Sequence, residues 1–392
     1  MKNSAEYVVI GAGIIGSTIA YYLTKEGINV SLLDQAGFCA GSSGATHTQI
    51  AMHTRLPGWN LDLSLKSIEI LEELSKELDY SFEYEKTGSI ILIDDEKQIN
   101  WINKRRKMQL SVGLNSYYLT RKNLNRLEPY LSKEILSAIF YPQSIRINSM
   151  RLCHSLIYHA CQMGADINLH ATVRDIVVKD KKIQKVRTTN GDINTNQIIN
   201  ATGAWAPKIG KMVGLEIPIN INKGQVIITE KLPNLGIKIK GELNLEDEKG
   251  LQLRTSKTNT DLEKKYAVRF TISQTVHGNC LIGRSGEDVK NPYDRSINYL
   301  TIKAILLRAS RFMPILENVK CIRTFAGFRP YSPDKKPLLG PSCKVKGFIV
   351  AAGHGDKGIG WMSTAKILVD HLLGRKSFMS IKPFSFDRIE IN

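Results

Sequence analysis

The sequence predicts an α/β protein: a parallel sheet of nucleotide-binding type, flanked by helices, with a second domain attached. Three observations predict it. A strand, a glycine turn, a helix and a second strand ending in an acid follow one another within the first 34 residues. A buried strand ending in a glycine turn lies at 198–205, and a strand, glycine turn and helix close the pattern at 347–372. The length of 392 residues exceeds what one core usually needs, which adds the second domain. With 42% hydrophobic and 23% charged residues the chain can bury a sizeable core, which excludes a mostly disordered, collagen-like or membrane-embedded protein.

Taken in order, Tyr7-Val8-Val9-Ile10 is a short β-branched run that leads into Gly11-Ala12-Gly13-Ile14-Ile15-Gly16, after which Ile19, Tyr22 and Leu23 recur at helical spacing before Gly27. The next strand, Val30-Ser31-Leu32-Leu33, ends in Asp34 at the carboxyl end of a neighbouring parallel strand. Gly11 permits a tight turn, Gly13 lets a pyrophosphate approach the positive end of the helix, Gly16 lets the helix lie close on the strand, and Asp34 accepts from ribose hydroxyls. This fingerprint calls for a dinucleotide and leaves NAD and FAD both open. Further along, Gly41 to His47 is a small-residue turn before another helix, Ile198 to Trp205 is a strand with a glycine turn, and Gly347 to Gly360 is strand, glycine turn and helix start, the helix continuing through Ala365, Ile367, Leu368 and Leu372.

The formal charge of +17 is spread along Lys- and Asn-rich stretches, as expected of a solvated basic surface. An acidic partner, an anionic membrane surface and RNA are the sharper readings, and nucleic acid is disfavoured because no aromatic-basic motif accompanies the charge. The six cysteines include no Cys-x-x-Cys pair, so no metal or iron–sulfur site is expected, and reduced thiols in the cytoplasm, with association at the inner face of a membrane left open, are the expectation. Neither a signal peptide nor a spanning helix is expected.

Together with Lys223-Gly224-Gln225, Gly278 to Gly283 and Gly327-Phe328-Arg329-Pro330, these segments resemble the D-amino-acid-oxidase-like superfamily of FAD enzymes over nearly the whole chain. The superfamily includes amine and amino-acid oxidases and the flavin subunits of dye-linked dehydrogenases. The resemblance implies a Rossmann-like, glutathione-reductase-type FAD domain built from 1–86, 146–214 and 321–392, interleaved with a mixed or antiparallel sheet domain built from 87–145 and 215–320. Strand-like runs at Ser89 to Ile93, Gln225 to Ile228 and Cys280 to Ile282 agree with it, and 231–265 reads as a loop or excursion from the sheet. The resemblance assigns non-covalent FAD to Gly11, Ala12, Gly13, Ile14, Ile15 and Gly16, to Asp34 and Gln35, to Gly41, Ser42, Ser43, Thr46, His47 and Thr48, to Val173, to Ala201, Thr202 and Gly203, and to Gly327, Arg329, Gly353, His354, Gly355, Lys357, Gly358 and Ile359.

The implied activity is oxidation of an amino acid or secondary amine to an imine, the α hydrogen passing to flavin N5, with oxygen, a quinone, a dye or a partner subunit as electron acceptor. Arg329 aligns with the arginine that pairs the substrate carboxylate, and His354 is expected at the substrate as well. Lys357 stands where sarcosine oxidase carries the lysine that promotes oxygen reaction. His47 departs from the family, where a glycine pair is usual. It could contact the flavin ring, act on the substrate amine or carry the flavin, a packed histidine being favoured over attachment. A flavoprotein bound to RNA and a non-catalytic FAD subunit are the alternatives, and substrate, stereochemistry and acceptor stay open.

Overall fold

The computed structural model describes residues 2–242, 245–246, 252–253 and 260–389. Its first sheet runs in the order Leu338–Pro341, Phe348–Ala352, Ile198–Asn200, Tyr7–Ile10, Val30–Asp34, Asp166–Leu169. Five strands are parallel, and the edge strand Leu338–Pro341 is antiparallel to its neighbour. Helices cover one face, and a three-stranded antiparallel sheet of Val173–Lys179, Lys182–Thr188 and Gly191–Asn194, with the helix Ala206–Lys211, covers the other, so the strands read as continuous apolar runs: Val8, Val9, Leu32, Leu33, Ile198 and Ile199 are all fully buried. The helix Ile14–Lys25 packs on the helices Ser149–Gln162 and Ser363–Leu372. Gly11 has φ +109°, and a side-chain carbon on Gly16 would overlap the Gly11 carbonyl, so both glycines are required where strand and helix meet.

The second sheet has nine strands. From one edge it runs Cys321–Tyr331, Asn220–Lys231, Asn279–Gly283, Thr271–Gln274, Ile239–Glu242, Ser89–Ile93, Ser137–Tyr141, Tyr117–Thr120, with Glu287–Val289 also pairing Asn220–Lys231. Its ladders are antiparallel except that between Ile239–Glu242 and Ser89–Ile93. The helix Tyr299–Phe312 seals one face, its Phe312 stacked on Phe270 with ring centres 4.8 Å apart. A mixed α/β fold with two main sheets is therefore what the sequence led one to expect.

Three expectations change. Gly327-Phe328-Arg329-Pro330 lies inside a strand, paired with Asn220–Lys231 from Asn220↔Tyr331 to Thr229↔Cys321, so 321–331 belong to the large sheet and the boundary drawn at 321 falls after Tyr331. Gly327 is there for space: a side-chain carbon would come within 2.6 Å of the Ala45 carbonyl oxygen. The glycine segment expected to open a helix at 358–360 forms a 3₁₀ turn, Ile359–Trp361, and the α-helix begins at Ser363. Within 231–265, the strand Ile239–Glu242 and the helix Asp261–Lys265 are ordered, the latter started by a Thr260/Glu263 capping box. Residues 243–244, 247–251 and 254–259 of that stretch lie outside the described residues.

Candidate active site

The nucleotide end is built from backbone. Gly11 N–H donates to the Leu33 carbonyl (2.7 Å) and Ala201 N–H to the Ile10 carbonyl (2.9 Å), which gathers the glycine turn, the end of the Asp34 strand and Ala201-Thr202-Gly203 at one edge of the sheet. Asp34 accepts from the N–H of Ala12 (2.8 Å) and of Ala36 (2.9 Å). The Asp34 carbonyl accepts from Ala171 N–H (2.8 Å), bringing Val173 toward the same end, and Gln35 is exposed beside it. Gly13 caps the helix in extended conformation without a side-chain bond, the first turn carries no acid, and Ser43 Oγ accepts from Ile14 N–H (3.0 Å). Helix amides, an acid at the strand end and side-chain space taken up by backbone suit a dinucleotide pyrophosphate and ribose.

Asp34→Ala is expected to weaken FAD by about 1.5–3 kcal/mol. Because Asp34 also ties the turn, Asp34→Asn is the control: its single carboxamide oxygen keeps an acceptor for one of the two N–H groups, of Ala12 or of Ala36, and the charge is lost. FAD affinity unchanged in both, measured by flavin fluorescence, would remove Asp34 from the site.

A cavity of about 1010 Å³ extends from Ile14, Ser42, Ser43 and Thr46 past Gly355, Lys357, Gly358 and Ile359 to the large sheet. Gly327 and Arg329 line it, as do the apolar walls Trp101, Met108, Phe270 and Trp361. It thus joins the nucleotide end to the sheet where a substrate would lie. Thr48 has φ +58° and a buried hydroxyl without a partner among the described residues. Gly41 packs under Trp205.

Arg329 enters from its strand. Its Nη1 donates to Asn222 Oδ1 (2.7 Å) and to the Ser285 carbonyl (2.8 Å), and its Nη2 lies over Gly224, where a side-chain carbon would overlap it. No carboxylate pairs with it among the described residues. Burial, reinforced by Arg284, makes its charge costlier than usual. His47 stands by Gly283, whose missing side chain leaves 2.9 Å to Nε2, and both ring nitrogens are buried without partners among the described residues. Burial, with Arg329 and Arg284 nearby, pushes its pKa down to about 3, so it is neutral at any physiological pH.

Lys357 pairs with Asp356 at 2.8 Å. Burial brings its ammonium down to about 8 despite the opposing carboxylate, Arg55 adding to the shift. Asp356 is held well below the usual carboxylate range: burial opposes this, but Lys357, Arg284 and Arg329 outweigh it. His354 goes elsewhere. Its Nε2 lies 2.9 Å from Thr364 Oγ1 on the C-terminal helix, and the ring is buried and outside the cavity lining.

Four wall residues were not legible as site residues. Arg55, Arg284, Asp356 and Tyr331 carry no motif of their own, although Arg284 follows the quoted Gly278 to Gly283 run and Asp356 lies within Gly353 to Gly360. Burial holds the Tyr331 hydroxyl protonated. Among the described residues the wall carries eight Lys and Arg side chains against the carboxylates Glu242, Asp288 and Asp356, an excess of positive charge.

A family model described as FAD dependent oxidoreductase matches residues 6–371. The chain is 27% identical over 433 aligned residues to hydrogen cyanide synthase subunit HcnC of Pseudomonas aeruginosa, across 100% of this chain and 97% of that one. It is 24% identical to glycine oxidase of Geobacillus kaustophilus, across 99% and 98%. Among solved structures, L-proline dehydrogenase from P. horikoshii superposes with a TM-score of 0.85 over 100% of both chains at 23% identity, a likeness of fold.

Proposed function

The chain belongs to the family of FAD-dependent oxidoreductases, and from that membership we propose that it oxidises an amino acid or secondary amine at the α carbon, Arg329 holding the substrate carboxylate. Bound FAD supplies the two-electron acceptor. Non-covalent retention by Gly11 to Gly16, Asp34 and the 201–203 and 353–359 turns, in a domain of 1–86, 146–214 and 332–392, is part of the same proposal. The single observation that carries the substrate reading is a half-buried guanidinium on the cavity wall, anchored on one side by Asn222 and Ser285 and paired with no acid among the described residues. A planar fork in that state suits a carboxylate.

The other residues serve the same step. The cations around the cavity disfavour an ammonium and so favour the neutral amine that the oxidation needs. His47, neutral and without partners, is placed to hydrogen-bond that amine rather than to store its proton. Of the titratable groups on this wall, Lys357 loses its proton nearest to working pH and is the group poised to exchange one. The buried Trp361 and Phe270 supply apolar wall to the cavity.

The relative HcnC is a subunit, which supports a partner protein as the electron acceptor; no helix among the described residues is long and apolar enough to cross a membrane. The family match does not favour the RNA-bound alternative. The test is a panel of glycine, secondary amines and D- and L-amino acids scored by flavin bleaching under nitrogen, with oxygen uptake and dye reduction measured side by side. At least one carboxylated amine is expected to bleach the flavin. Bleaching only by amines without a carboxylate would overturn the reading. Acid precipitation is expected to release the flavin, and colour that stays in the pellet would move suspicion to His47.

A further inference from the structure

Arg55 is the one guanidinium on the cavity wall that is 4% exposed and has two nitrogens, Nε and Nη1, buried without a hydrogen-bond partner among the described residues. Its backbone is fixed: the carbonyl accepts from Gln109 Nε2 (2.5 Å) and the N–H donates to the Met52 carbonyl (2.9 Å). Gly360 makes the room, since a side-chain carbon there would lie 2.5 Å from Arg55 Nη2. A cation so placed loses its hydration and gains nothing in return until an anion meets it. Arg55 reaches the cavity from the 49–59 segment, whereas Arg329 reaches it from the large sheet.

The charges around them are unbalanced. Asp356 is engaged by Lys357, and Glu242 is engaged by Arg308 and Arg269. Arg55, Arg284 and Arg329 have no acid within ion-pair distance among the described residues, and share with Lys357 the field of the single carboxylate Asp356. One substrate carboxylate on Arg329 leaves two guanidinium groups uncompensated. We propose that the substrate bears a second carboxylate, which Arg55 binds, so that the enzyme prefers amines carrying two carboxylates over those carrying one. The proposal rests on the amine-oxidation reading and names its substrate class.

The experiment uses the FAD-loaded protein. Under nitrogen, iminodiacetate, aspartate and glutamate are compared with sarcosine, glycine and alanine by flavin bleaching; separately, malonate, succinate and glutarate are compared with acetate and propionate by perturbation of the flavin spectrum. At least one two-carboxylate amine is expected to have a KM at least tenfold below its one-carboxylate counterpart, and at least one dicarboxylate to bind at least tenfold tighter than the monocarboxylates. Arg55→Gln is expected to erase both preferences, raising KM for two-carboxylate amines at least tenfold more than for their one-carboxylate counterparts, and Arg55→Lys to keep part of them. Equal binding of one- and two-carboxylate ligands by the wild type overturns the proposal, as does an equal loss for both classes in Arg55→Gln. Should Arg55→Gln fail to fold, the wild-type comparison decides alone. If no amine bleaches the flavin, the oxidation reading fails, while the dicarboxylate titration still tests Arg55 as an anion site.

Discussion

Replacing Arg329 with alanine is expected to lower kcat/KM for a carboxylated amine by about 2–5 kcal/mol, a factor of about thirty to several thousand. Part of that loss is orientation: without the fork the α carbon drifts, so kcat falls along with the rise in KM. Arg329→Lys keeps the charge and loses the second planar donor, and is expected to fall between wild type and alanine. The structure adds a cost to be separated from catalysis. Nη1 is the donor to both Asn222 Oδ1 and the Ser285 carbonyl, so alanine leaves two buried acceptors to find water, at about 1–3 kcal/mol of stability. The control is an amine without a carboxylate. If wild type and Arg329→Ala oxidise it alike, the loss on amino acids belongs to the carboxylate; if alanine leaves amino-acid turnover intact, Arg329 is a brace between strands.

What was legible follows from how local each signal is. The Gly11 to Gly16 turn and Asp34 were readable because their function is carried by backbone conformation and by short-range order of strand, turn and helix, and the structure returns that order residue by residue. Arg329 was readable through its motif, but the place of that motif inside a strand of the large sheet was not, since a glycine used for space looks the same in sequence as one used for positive φ. Gly327 sits mid-strand against Ala45 for the first reason. Arg55 and Arg284 were not readable, because an arginine in sequence says nothing of whether an acid folds against it. Only the tertiary structure shows that Arg308 finds Glu242 while Arg55 finds none among the described residues. The direction of the His354 ring was not readable for a related reason: its neighbours Gly355 and Gly358 line the cavity, while the ring turns to Thr364.

Lowering the pH from 7 to 5 is expected to destabilise the protein by about 6 kcal/mol through three histidines, about 2 kcal/mol each. His47, His53 and His354 are buried, and burial pushes each down to about 3. For His53 the cations Arg105, Arg55, Lys357 and Arg284 add to it, while Nδ1 stays bonded with Ser89 Oγ at 3.0 Å. The sign follows from which state takes up protons. Above the ordinary histidine value of about 6.5 both folded and unfolded chains carry neutral rings and no difference arises. Below it the unfolded chain binds protons that the fold refuses, so stability falls by about 1.4 kcal/mol per pH unit per histidine, until the folded rings titrate near pH 3. Carboxylates such as Asp356, held low in the fold, act in the same direction, but only once the pH nears their unfolded range, whereas burial raises Glu128 and Glu242 and makes them act in the opposite sense, so the histidine share is read from the change that each histidine substitution makes to the slope. The measurement is urea denaturation of the FAD-loaded protein at pH 7, 6 and 5, monitored by circular dichroism at constant ionic strength. His354→Asn, outside the cavity and able to keep a hydrogen bond to Thr364, is expected to remove about a third of the slope. A free energy of unfolding that is flat from pH 7 to 5 would mean that these rings are hydrated, and would take with it the picture of His47 as a neutral partner for the substrate amine.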